Sequence, residues 1–429
     1  MTTPTITSET RRYIDVIRQH LVRDYEQMYA AAGGALEYPY LVPGSAQYID
    51  QLWDWDSWLM NVALRQILLE AGDAAASDAA KPYERGCVLN FLNGSSWHGY
   101  VPIVLGRKPH QMPENIYETN MHKPCLAQHA AFLARQHGDV EWLREAFYGI
   151  QAFLNNYRSH HRHSCGLYFW QNDRAIGEDN NPCVFDRPPR STAAVYLNSL
   201  MYRELLAAAY LAEELNLPDT VQSLQRDADD VKAAIQEHCW DEWLGFYYSV
   251  DLNLTRPPLN VEAHGMGPHC GLSRDWPGLI QRIGVWSGFL PMWAGIATPE
   301  QAQRMVDEHY WNEQTFNCAA GIRTLSRMEK MFTVRASGNP SPWLGPVWAI
   351  SNYLVFRGLV RYGFSEAAQD LCVKTIRLFG RDLERFGALH ECYEPENGEP
   401  MLNRGFQNWN YLVLNMAAWL QGQPVVEEF

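Results

Sequence analysis

Apolar residues recur at spacings of three and four along twelve stretches of the chain. The spacing predicts helices over residues 9–32, 56–71, 74–91, 118–137, 139–160, 191–215, 218–239, 278–296, 298–310, 345–362, 365–383 and 407–421. Alternating, strand-like runs are few. The stretches 191–215 and 218–239 show the pattern most clearly, each opened by a short polar residue (Ser191, Asp219) that suits a helix start. They are joined by the tight turn Asn216-Leu217-Pro218, and equally short joints occur at Gly138-Asp139, Thr298-Pro299-Glu300 and Gly363-Phe364-Ser365.

The remaining connections, 92–117, 162–190, 240–275, 311–344 and 384–406, are long and rich in Gly, Pro and Trp. Short joints alternating with long ones are what a ring of helical hairpins would produce, its pocket on the side of the long loops. An irregular bundle of helices is the alternative. No linker divides the chain, so residues 1–429 are expected to form a single domain.

With 47% hydrophobic and 20% charged residues, the composition is that of a soluble globular protein. A formal net charge of −14 opposes nucleic-acid binding, which needs a basic surface to displace phosphate counterions. The start Met1-Thr2-Thr3-Pro4-Thr5-Ile6-Thr7 lacks a basic stretch followed by an apolar one, and no run reaches the ~18 apolar residues of a membrane span, so neither secretion nor membrane spanning is expected. Nine cysteines in irregular, mostly apolar settings fit buried free thiols in a reducing, cytoplasmic setting. No cofactor or metal is called for: Gly-rich phosphate loops and Cys-x-x-Cys pairs are absent, and the spacing of His160, His161, His163 and Cys165 matches no zinc motif. Nothing opposes a homo-oligomer.

The unusual chemistry sits in the long loops. Gly177-Glu178-Asp179-Asn180-Asn181-Pro182 places Asp179 in a polar turn shortly before a helix, where a carboxyl can face a pocket or simply shape the turn. Glu391, between His390 and Cys392 with Leu389 and Tyr393 beyond, has largely apolar neighbours, whereas Glu394, Glu396 and Glu399 read as solvated. Cleaving a glycosidic bond requires one protonated carboxyl to donate to the leaving oxygen and one ionised carboxylate to activate water or attack carbon. Asp179 and Glu391 fit those two parts.

Trp53-Asp54-Trp55-Asp56-Ser57-Trp58 sets three indoles among acids at a helix start. Capping explains one Asp, but not three Trp. Sugars offer C–H faces to indoles and hydroxyl pairs to carboxylates, which makes Trp55 and Asp56 a candidate sugar grip, with core packing as the alternative. Pro342-Trp343-Leu344-Gly345-Pro346-Val347-Trp348 and Ser96-Trp97-His98-Gly99-Tyr100 repeat the theme, adding Trp343, Trp348 and Tyr100.

Taken in order, Trp55-Asp56-Ser57, the Asp179 loop, the Trp343–Trp348 loop and His390-Glu391-Cys392-Tyr393-Glu394-Pro395 resemble glycoside hydrolase family 63 over nearly the whole chain. The likeness is strongest to its compact bacterial members acting on mannosylglycerate or glucosylglycerate. The resemblance implies an all-α (α/α)6 toroid and inverting hydrolysis, with Asp179 as general acid and Glu391 as general base. It also implies Trp55 and Asp56 holding the terminal sugar and Trp343 on the facing wall. An inverting pair should stand about 6.5–9.5 Å apart.

Two positions depart from the family pattern. Lys123, in Asn120-Met121-His122-Lys123-Pro124-Cys125, replaces a glutamine, and a cation there favours an anionic substrate group or a neighbouring carboxylate. Arg174 replaces an aromatic, leaving Trp170 as the candidate substitute. The expected substrate is a small α-glucoside or α-mannoside, glycerate conjugates included. Two other classes stay open: an isomerase or epimerase using His98, His122, His264 and His390, and a sugar-binding protein without catalysis.

Overall fold

The computed structural model describes residues 6–254, 277–335 and 342–429; His264 lies outside them. Among the described residues are twelve α-helices: α1 Ser8–Asp24, α2 Asp54–Ala71, α3 Ala74–Asn93, α4 Leu126–His137, α5 Phe147–His160 and α6 Val195–Glu214, followed by α7 Pro218–His238, α8 Leu290–Ala294, α9 Pro299–Arg304, α10 Ala349–Arg361, α11 Ser365–Phe386 and α12 Val413–Leu420. Each falls within or against one of the predicted stretches. Several start late for a local reason. Pro124 and Pro346 hold the residues before them out of helical conformation, so α4 and α10 begin at Leu126 and Ala349 rather than near 118 and 345. The stretch 278–296 is mostly extended chain and 3-10 turn, with only α8 helical.

Burial divides the helices into two kinds. In α2 every residue from Asp54 to Leu68 is buried, and in α10 every residue from Ala349 to Leu359, so these helices are enclosed on all sides. By contrast α7 buries only Leu224, Ala228, Val231, Ala234 and Ile235, the stripe of a helix with one face to solvent. The enclosed helices meet in order: α2 packs on α4, α4 on α6, α6 on α8, α8 on α10, α10 on α12, and α12 returns to α2. Outside this cycle, α3 packs on α2 and α4, α7 on α6, and α11 on α10 and α12, with α1 laid against α11. The α6–α7 joint turns on Asn216 at φ 61°, a left-handed value that asparagine adopts readily.

Residues 424–429 touch all six enclosed helices. The backbone of Val426 donates to Gln66 of α2 at 2.8 Å and accepts from Asn415 of α12 at 2.8 Å. Glu428 accepts from Trp293 Nε1 of α8 at 2.9 Å and from Tyr353 OH of α10 at 2.6 Å, and pairs with Arg357 Nε at 3.0 Å. Phe429 lies 5.5 Å from the Tyr210 ring of α6, with the Arg135 guanidinium of α4 over its own ring at 4.1 Å.

Candidate active site

The cavity that holds the sequence candidates lies at the N-terminal ends of the enclosed helices. Its lining comes from the approaches to α2 (Trp53, Trp55, Asp56), α4 (Lys123), α6 (Ala175, Gly177, Asp179), α10 (Trp343, Trp348) and α12 (Glu391, Phe406, Trp409), with Tyr48, Ile103 and Val104 between them. Its volume is about 240 Å³. The antiparallel pair Gln51–Trp53 and Val104–Gly106 brings Trp53 opposite Val104 at one edge.

Asp179 and Glu391, 212 residues apart in number, both line this cavity, and the charge of Asp179 is felt at Glu391. Glu391 is held between two donors: Tyr48 OH gives to Oε1 at 3.2 Å and Asn403 Nδ2 to Oε2. Burial pushes its pKa above the usual carboxylate range, the bonds from Asn403 and Tyr48 oppose this, and the nearby Asp179 adds to it. Pairing of Val347 with Tyr393 (N–O distances 2.8 and 3.0 Å) ties the Glu391 segment to the Trp343–Trp348 loop. Asn410 Nδ2, donating to His390 O at 2.7 Å, ties it to the approach of α12.

Because Tyr48 stabilises the ionised form of Glu391, Tyr48→Phe is expected to raise the Glu391 pKa further. A base is active only when ionised, so the acid limb of a kcat/KM–pH profile should move to higher pH in the variant. An unmoved limb would separate Glu391 from the base that controls it.

The Asp179 loop is fixed by its neighbours. Asn180, at φ 52°, accepts from Trp343 N at 3.1 Å through Oδ1. Asn181 caps a turn by accepting from Cys183 N at 2.9 Å and donates to Glu178. Glu178 is buried and does not line the cavity; burial lifts its pKa to about 8, with Asn181 opposing. Gly177 has φ 88°, and a Cβ there would fall 2.3 Å from Lys123 Cε and 2.9 Å from the Trp55 ring. The loop therefore rests directly on those two side chains.

At the start of α2 neither aspartate caps the helix; Trp53 occupies the N-cap position. Asp56 faces the cavity, bound by Asn408 Nδ2, and its pKa is pushed up to about 7 by burial and by the charge of Asp54, with Lys123 and Asn408 opposing. Asp54 is fully buried and faces Lys123 instead. Lys123 Nζ lies 2.7 and 2.8 Å from its two oxygens, and the Lys123 backbone N–H donates to it at 2.9 Å. Burial pushes Asp54 up, but the Lys123 ammonium brings its pKa below the ordinary value. Of the two roles open to a cation at position 123, the structure shows the neighbouring carboxylate.

Indoles form one side of the cavity. Trp343 stacks on Trp348 at 4.4 Å and 11°, Trp55 lies 6.1 Å from Trp343, and Trp409 meets Trp55 edge-on at 5.6 Å. Two expected contributors are elsewhere. Tyr100 stacks near His110 and Trp170 packs on Tyr196, and neither lines the cavity. Conversely Tyr48, Phe406, Trp409, Asn403 and Asn408 were not singled out in the sequence. Their signal is weak: isolated aromatics and asparagines, of which Asn403 (φ 30°) and Asn408 (φ 38°) are in the left-handed region.

None of the described histidines lines the cavity. His122 is buried with Nδ1 at 2.7 Å from Lys123 O, and burial holds its pKa near 4. His390 faces Asp382 at 3.0 Å, and the exposed His98 lies tilted against Trp97, ring centroids 3.7 Å apart. His163 meets Cys165 at 3.1 Å. Among the described residues no helix is long and apolar enough to cross a membrane, and the eight described cysteines are free thiols.

The mannosylglycerate hydrolase MGH1-like glycoside hydrolase domain model matches residues 49–410. Cytosolic neutral trehalase of Kluyveromyces lactis is 26% identical over 263 residues, 58% of this chain and 31% of that protein. Mannosylglycerate hydrolase MGH1 of Selaginella moellendorffii is 30% identical over 135 residues, covering 31% of this chain and 24% of the other. The chain thus spans about a third or less of these curated relatives. Among solved structures, the GH63 mannosylglycerate hydrolase from Thermus thermophilus in complex with glucose superposes with a TM-score of 0.65 at 19% identity, over 94% of this chain and 98% of that one.

Proposed function

Since the chain belongs to glycoside hydrolase family 63, we propose that it is an inverting hydrolase releasing a terminal glucose or mannose from a small α-glycoside. The observation that carries this reading is the meeting of Asp179 and Glu391 in one cavity walled by Trp55, Trp343, Trp348 and Trp409. Asp179 gives its proton to the leaving oxygen; Glu391, ionised and oriented by Tyr48 and Asn403, takes one from the attacking water. Asp56, held in place by Asn408, grips hydroxyls of the terminal ring, whose C–H faces lie on the indoles. The cycle α2-α4-α6-α8-α10-α12 with helices packed outside it supports an (α/α)6 toroid forming one catalytic domain.

The test is the anomer released. An α-glycoside cleaved in an NMR tube should yield the β-sugar first, with the α-anomer appearing only at the rate of mutarotation. Initial release of the α-anomer would mean a covalent intermediate and overturn inversion. The isomerase reading loses its support among the described histidines, since none of them reaches the cavity.

A further inference from the structure

Lys123 is the sole cation among the described residues that line the cavity; Asp56, Asp179 and Glu391 are its acids. Its charge is already matched. Nζ sits within 2.8 Å of both Asp54 oxygens, and the pair is sealed from solvent, Lys123 being 1% and Asp54 0% exposed. The ammonium also lies over the Trp55 ring at 4.7 Å, and its stem supports Gly177 at the base of the acid loop. Turning the ammonium toward a ligand would strand the buried Asp54 carboxylate and remove the floor beneath Asp179.

Resting on the reading of this cavity as a sugar site, we propose that it takes neutral glycosides, with a polyol or a second sugar as leaving group, and discriminates against anionic ones. Asp54 is the specificity-determining residue, because it cancels Lys123. A ligand carboxylate entering the cavity meets the ionised Glu391 and the partly ionised Asp56, with no uncompensated cation among the described lining residues, and like charges in a partly dry site repel strongly. A hydroxymethyl group of similar size meets no such penalty and can donate to the same carboxylates.

Glucosylglycerol and glucosylglycerate, and the mannosyl pair, differ only in this group. Initial rates with the whole chain, and calorimetric binding to Asp179→Asn, should favour the neutral member of each pair by about tenfold or more. Equal or better handling of the glycerate overturns the specificity while leaving hydrolysis standing. Binding that favours the neutral ligand without any release of sugar supports the specificity and removes the hydrolase reading. If neither neutral ligand is bound or cleaved, the proposal falls. In Asp54→Asn, checked for folding by its melting temperature, the freed ammonium should move the ratio about tenfold toward the anionic ligand. An unchanged ratio in the folded variant withdraws the role given to Asp54, and if the variant does not fold, the wild-type ratio decides.

Discussion

Replacing Glu391 by glutamine is expected to lower sugar release by about 10²–10⁴-fold, the range that one general base contributes. The substitution keeps the side chain's shape and leaves Tyr48 OH a carbonyl oxygen to donate to, but it removes the proton acceptor. Ligand binding should survive, because the indole wall and Asp56 are untouched. Asp179→Asn should cost as much on ordinary glycosides. The two losses are separable: a glycosyl fluoride leaves without needing a proton, so it should restore turnover in Asp179→Asn and not in Glu391→Gln. Near-normal turnover of ordinary glycosides by either variant removes that residue from the mechanism, and rescue of the wrong variant exchanges the roles.

The second large effect concerns stability. Glu428 is buried and answers three helices at once: Trp293 of α8, and Tyr353 and Arg357 of α10, with Arg203 of α6 adding its charge. Burial alone would raise its pKa, but Arg357 and the Tyr353 hydroxyl bring it down to about 2. Glu428→Ala leaves the Arg357 guanidinium buried with only the half-exposed Glu427 beside it, and breaking such a pair costs about 3–5 kcal/mol. A folded pKa below the unfolded one stabilises the fold above the unfolded value, near 4.5, and the benefit is lost as pH falls toward 2. Denaturant unfolding should therefore show the variant weakest near neutrality and converging on the wild type in acid. A difference independent of pH would assign the effect to packing alone.

Much of this architecture was legible because helices announce themselves locally. The Asn216-Leu217-Pro218 joint and the stripe Leu224, Ala228, Val231 and Ile235 need no knowledge of distant residues. The two candidate carboxyls were legible for a similar reason, each standing out against its immediate neighbours. What the sequence concealed was partnership across long separations. The charge of Lys123 was plain, but not that Asp54, 69 positions earlier, had claimed it. Tyr48 reaches Glu391 across 343 positions from a loop with no distinguishing pattern. Trp409 fell inside a predicted helix and lines the cavity, whereas Tyr100 and Trp170, conspicuous in loops, pack on His110 and Tyr196 and do not. An aromatic in a long loop and an aromatic in a helix are exchanged in role when the loop folds inward and the helix starts late.

The return of α12 to α2 joins segments more than 340 positions apart. Contacts of such sequence separation carry a large loop-closure entropy and form late and slowly. Asn408, which binds Asp56, lies on the approach to α12, so the sugar grip is complete only when the circle is. A chain stalled before that step would carry most of its helices and none of its catalytic geometry, and in refolding, recovery of activity should lag behind recovery of helicity.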